Sequence, residues 1–212
     1  MSSKHIVLAG DSIFDNDGYV IGEPGVIEQL GGALPKEHSA SKVAVDGDCI
    51  RHVEEQLRGL PSNATDLVIS VGGNDARVHS HLISKVSQAS DLAGLLAGPL
   101  AGFRAEYRAM LGHARSYGLN LHTCTIYTAV PFEQPNWRRL VPIAIEAFNT
   151  VIAEEAGKVG VPIIRLEKVC TDDEDFSAVS PIEPSCIGGQ KIVDHLIARL
   201  SNYWGNQSAP ER

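Results

Sequence analysis

Three short segments of this 212-residue sequence carry groups suited to chemistry at an acyl carbon. Gly10-Asp11-Ser12-Ile13 sets a hydroxyl directly after an apolar run. A serine so placed is either a helix cap or a nucleophile. Val45-Asp46-Gly47-Asp48 offers a glycine that either turns the chain or lets the backbone present its N–H to a ligand. Gly72-Gly73-Asn74-Asp75 projects an amide from the end of a third apolar run, and an amide can donate to a developing oxyanion. Each segment alone is weak evidence. Brought together, they are the minimal parts for attacking an acyl carbonyl and stabilising the tetrahedral oxyanion that results.

The elements that would converge them are legible from periodicity. Strands are expected at His5 to Ala9, Lys42 to Val45, Leu67 to Val71, Leu121 to Ile126 and Val161 to Leu166. Between them, Cys49 to Arg58, Asp91 to Tyr117 and Val141 to Lys158 repeat apolar residues at helical intervals. In the last segment Ile192, Leu196 and Leu200 form one row and Val193 and Ile197 the next, with Gly188-Gly189 expected as the entry turn. Strands that alternate with helix-length crossovers predict an α/β fold with a mostly parallel sheet and helices on both faces. In such sheets ligands bind beyond the carboxyl ends of the strands, where all three segments fall. One domain over residues 1–204 is expected, followed by a loose tail from Gly205 to Arg212.

Composition narrows the partners. A net charge of −8, with only 18 scattered Lys and Arg, argues against a nucleic-acid surface. The apolar stretch Ile6-Val7-Leu8-Ala9 is too short for a signal-peptide core or a membrane span, so no membrane span and a cytoplasmic location are expected. Cys49, Cys124, Cys170 and Cys186 lack paired metal-ligand spacing and are read as free thiols, with no metal and no cofactor. The acidic run Asp172-Asp173-Glu174-Asp175 is read as a solvated loop, Trp137-Arg138-Arg139 as a helix start, and Tyr127 as an aromatic at a strand end.

In order and spacing these segments resemble the blocks of the SGNH hydrolases, also called the GDSL esterase/lipase family. Gly10-Asp11-Ser12-Ile13 looks like the first block, with Ile13 in place of the usual Leu; Gly47 looks like the glycine of the second; Gly72-Gly73-Asn74-Asp75 matches the third. The resemblance implies a three-layer α/β/α sandwich with a five-stranded, flavodoxin-like sheet. It also implies hydrolysis of a carboxylic ester of a small molecule, without a metal. Carried over residue by residue, it makes Ser12 the nucleophile, with the Ser12 and Gly47 N–H groups and the Asn74 side chain as oxyanion donors.

The fourth block departs from the family. The family pattern Asp-x-x-His-Pro-Ser-x-x-Gly is here Ser180-Pro181-Ile182-Glu183-Pro184-Ser185-Cys186-Ile187-Gly188, so Ser180 replaces the aspartate and Glu183 the histidine. Three readings follow. Glu183 is the base, its carboxyl raised by burial; or His79 or His195 supplies the base; or the site binds a ligand without turning it over.

Overall fold

The computed structural model describes residues 3–86 and 88–207. Five parallel strands form one sheet: β1 (His5–Gly10), β2 (Ser39–Lys42), β3 (Asp66–Ser70), β4 (Asn120–Cys124) and β5 (Ile163–Ile164), in the order β2-β1-β3-β4-β5. The helices are α1 (Val26–Ala33), α2 (Ile50–Leu57), α3 (Gly73–Val78), α4 (Ala89–Arg115), α5 (Pro135–Lys158) and α6 (Cys186–Gln207). Because side chains alternate across a strand, β1 sends Ile6 and Leu8 to one face and Val7 and Ala9 to the other. Ile6 and Leu8 pack with Val26 and Leu30 of α1 and Ile192, Val193, Leu196 and Leu200 of α6. Val7 and Ala9 join Val53 of α2, Tyr107 of α4 and Phe148 of α5. The outcome is the expected three-layer α/β/α sandwich.

Several boundaries differ from the periodicity reading, each for a local reason. The second strand is Ser39–Lys42 rather than Lys42 to Val45. It is an edge strand whose Ser39 and Ser41 hydroxyls bond the His5 ring at 2.7 and 2.9 Å, so it shows no apolar run to find. The apolar residues after it, Val43 to Val45, still donate to the Leu8 and Gly10 carbonyls but lie beyond the ladder. The fifth strand shrinks to two residues because Pro162 has no N–H to offer and Leu166 already begins a 3-10 turn. Helix α5 starts at Pro135, six residues before Val141, with proline in its favoured first-turn position.

Gly188 and Gly189 lie inside α6 rather than ahead of it. Side chains there would strike neighbours, since a Cβ on Gly188 would sit 2.1 Å from the Asp175 carbonyl oxygen and one on Gly189 2.6 Å from Gln29 Oε1. The helix N-terminus is held by Ser185, whose hydroxyl accepts from the Gly188 N–H at 3.1 Å. Helix α6 continues through Gly205 to Gln207, into the stretch expected to be loose, and residues 208–212 lie outside the described residues. Helix α1, with two glycines in only eight residues, falls outside the segments that the periodicity marks as helical.

Candidate active site

Ser12 follows β1 on a turn that only glycine permits. Gly10 has φ +121°, and a Cβ there would overlap the Ser70 carbonyl oxygen of β3 at 1.7 Å. The chain can therefore hug the adjacent strand, with Asp11 N–H donating to Ser70 O at 2.9 Å, before it turns outward at Ser12. Neither the Ser12 nor the Gly47 N–H has a hydrogen-bond partner among the described residues.

Asn74 lies in the first turn of α3, just after β3. Its Nδ2 donates to the Asp48 carbonyl at 3.0 Å, which ties the third segment to the second and leaves the other amide hydrogen for a ligand. Gly47 itself is exposed at φ +82°, on a loop held on one side by Asp15, whose carboxylate accepts the Asp46 N–H at 2.9 Å, and on the other by Asn74.

Ser12, Asn74 and Glu183 share the wall of one pocket, whereas Gly47 lies outside that wall. Glu183 is 5% exposed. Its loop is pinned on both sides: the Tyr127 hydroxyl donates to the Ile182 carbonyl, the Ser177 N–H donates to the Glu183 carbonyl at 2.8 Å, and Asn16 Nδ2 donates to the Pro184 carbonyl at 3.2 Å. Burial pushes the Glu183 carboxyl up to about 7; a hydrogen bond from Ser12 and the charge of Arg77 act the other way, and Asp46 adds to the rise. Oε2 has no hydrogen-bond partner among the described residues. Next to it, burial also raises Asp11 well above the usual carboxylate range, with Glu183 and Asp75 contributing.

The other sequence candidates scatter. His79 is half-buried on the pocket wall, while His195 sits on α6 away from it. Trp137 lies in the first turn of α5 and also lines the pocket, packed edge-on against Phe132 at 5.4 Å. The acidic run is not simply solvated, because Asp175 is fully buried and paired with Lys191 at 2.7 Å. All four cysteines are free.

Two residues that carry the architecture escaped the sequence reading. Gln56 on α2 accepts the Gly10 N–H at 2.8 Å, donates to the Gly10 carbonyl at 2.7 Å and donates to Asp48 Oδ2 at 2.7 Å, so one side chain joins the serine turn to the Gly47 loop. Asn149 on α5 accepts the Ile126 N–H at 2.8 Å and donates to its carbonyl at 2.7 Å, fixing the chain beyond β4 that walls the pocket. The signal available was a polar residue within an apolar helix stripe: Gln56 sits among Ile50, Val53 and Leu57, and Asn149 among Phe148, Ile152 and Ala156. A buried polar side chain must find partners.

The fold recurs among known structures. An extracellular lipase from Streptomyces rimosus superposes with a TM-score of 0.71 at 15% identity, covering 92% of this chain and 99% of that one. A lipase/acylhydrolase from Enterococcus faecalis gives 0.64 at 20% identity, covering 94% and 96%. A member of the lipolytic G-D-S-L family from Veillonella parvula gives 0.65 at 10%, covering 93% and 98%. No curated protein matches the sequence. The GDSL-like lipase/acylhydrolase family matches residues 8–181, from within β1 to two residues short of Glu183. That match takes in the turn of Ser12, the Gly47 loop and Asn74, and with it the chain belongs to the GDSL-like lipase/acylhydrolase family.

Proposed function

We propose that this protein is a carboxylic-ester hydrolase in which Ser12 is the nucleophile and Glu183 its general base. The observation that carries this reading is the Glu183 carboxyl, buried against Ser12 in the pocket and raised to about 7. An ordinary glutamate, with a pKa near ~4.3, is too weak a base to take a proton from serine efficiently. Raised to about 7, it enters the range in which an imidazole works.

The steps follow from the positions. Glu183 takes the Ser12 hydroxyl proton as Oγ attacks the ester carbonyl. The resulting oxyanion is met by the Ser12 N–H and Asn74 Nδ2, with the Gly47 N–H as a third donor on the neighbouring loop, outside the pocket wall but tied to it by the Asn74–Asp48 hydrogen bond. Collapse breaks the bond to the alcohol, which leaves with the proton from Glu183. Water then gives a proton to the same carboxylate and attacks the acyl-enzyme, and the acid is released as Ser12 recovers its proton. No residue of this scheme calls for a cofactor. Four free cysteines support a cytoplasmic setting for the reaction.

A fluorophosphonate probe and short-chain aryl esters test the assignment. Ser12 should be labelled, and Ser12→Ala should lose both labelling and turnover while keeping its fold, because a turn hydroxyl adds little to the core. Undiminished turnover in that variant would overturn it.

A further inference from the structure

The pocket that holds Ser12 is also walled by apolar side chains, which form a slot bounded by α4 and α5. Its walls there are Ile83, Leu96, Ile126, Trp137, Ala144 and Phe148. Ile83, Leu96, Ala144 and Phe148 are all buried, so the slot is part of the core rather than a surface groove. The charged side chains on the wall of the same pocket are Asp11, Arg77 and Glu183, and none of them belongs to α4 or α5. The wall is also fixed. Asn149 holds Ile126 through both of its backbone groups, and the Trp137 ring is braced edge-on by Phe132.

Size adds the discriminating fact. The whole cavity, polar end included, is about 120 Å³. A cavity of roughly 150 Å³ lined by Leu, Ile and Phe takes up one benzene molecule and stays otherwise dry. At about 120 Å³ this cavity has room for no more than one aromatic ring or a chain of about four to six carbons. A long fatty acyl chain would have to displace Phe148 or Leu96, both packed in the main core.

Resting on the ester-hydrolase reading, we infer that the acyl half of the substrate is a compact apolar group, a single ring or a chain of about four to six carbons, seated between α4 and α5. Ala144 sets its size limit. An acetyl group leaves the slot empty and forfeits the apolar contact, and a long chain overfills it. Polar acyl groups are disfavoured because these walls offer them only the Trp137 Nε1–H as a partner.

The test is a series of 4-nitrophenyl acetate, hexanoate, benzoate and decanoate. In the wild type, kcat/KM for hexanoate or benzoate should exceed that for acetate and for decanoate by about tenfold or more. Ala144→Phe should fill the slot and lower the hexanoate-to-acetate ratio by about tenfold or more, while Leu96→Ala should open it and raise the decanoate-to-hexanoate ratio. The second variant keeps the inference open to refutation if the first does not fold. Equal turnover of all four esters, or ratios unmoved by a folded variant, would overturn the slot and leave the ester reading standing. Binding separates the opposite case: calorimetry on Ser12→Ala should show methyl hexanoate and methyl benzoate binding and methyl acetate not. That preference, together with wild-type protein that turns over none of the esters, would sink the hydrolase reading and keep the slot. Absence of the preference overturns the slot whatever the kinetics.

Discussion

Two glutamates are buried to nearly the same degree, Glu155 at 2% exposure and Glu183 at 5%, and the protein treats them in opposite ways. Glu155, on α5, is ringed by cations: Arg104 at 2.9 Å, Arg108 at 2.8 Å and Lys158 at 2.6 Å. Hydrogen bonds from Arg108 and Lys158 lead in driving its pKa well below the usual carboxylate range, so its charge is secure. It ties α4 to α5. Glu183 has no cation in contact among the described residues, one oxygen without a partner and a serine hydroxyl beside it. Exposure alone therefore does not separate them: Glu155 is covered near the surface by its own cations, Arg108 and Lys158 being more than half exposed, whereas Glu183 is desolvated by the protein around it. A buried acid whose charge is fully compensated is cement, and one left uncompensated is held ready to exchange a proton.

The contrast breaks first, and most visibly, at Glu183→Gln. An amide of the same shape cannot accept the serine proton, so kcat should fall by about 10²–10⁴ while the thermal midpoint holds or rises slightly. If that variant is nearly as active as the wild type and His79→Gln is instead severely impaired, the base is His79 and the comparison loses its meaning. Glu155→Gln should show the reverse pattern. Activity should be unchanged, and the thermal midpoint should drop by about 3–8 °C, a modest loss because its three cations can turn to water. A Glu155 variant that is stable yet inactive would refute the division of roles.

The smallest effect is a slope with pH. In the folded protein Glu183 keeps its proton to about 7, whereas the unfolded chain releases it near ~4.3. Between those values the folded state holds more protons, so stability falls as pH rises. Glu155 is opposite in sign: its folded pKa is depressed, and its contribution is present above the unfolded value and lost as pH falls below it. Thermal midpoints measured from pH 4.5 to 7.5 should decline less steeply in Glu183→Gln than in the wild type. Over the same range kcat/KM of the wild type should rise, since only the ionised carboxylate is a base. An activity that falls from pH 5 to 7 would contradict the role given to Glu183.

Much of this arrangement is legible in the sequence. The central strands β1 and β3 are apolar runs that run into Gly10 and Gly72, and the segments after them carry Ser12 and Asn74, while Gly47 follows the edge strand β2; a parallel sheet brings all three ends to one common edge. Glu183 could be placed because the frame around it, Pro184-Ser185 and Gly188, keeps the family spacing. What stayed hidden depends on partners distant in sequence. The edge strand Ser39–Lys42 is polar and exists because β1 lies beside it. Gln56 shows its role only against Gly10, 46 residues away, and the apolar slot is assembled from α4, α5, the 3-10 segment Ser80–Lys85 and the chain beyond β4. Position along the chain reveals which groups are present; only packing reveals which of them remain unsatisfied.

Gln56 also marks where the site resists redesign. Its oxygen accepts from one backbone N–H while its nitrogen donates both to the carbonyl of that same residue and to Asp48. A glutamate there has no proton to give, a methionine of similar length neither gives nor accepts in that geometry, and an asparagine is one carbon short. A mutagenesis library aimed at new substrates should therefore hold position 56 constant and spend its diversity on Leu96, Ala144 and Ile145, whose apolar walls tolerate exchange at matched volume.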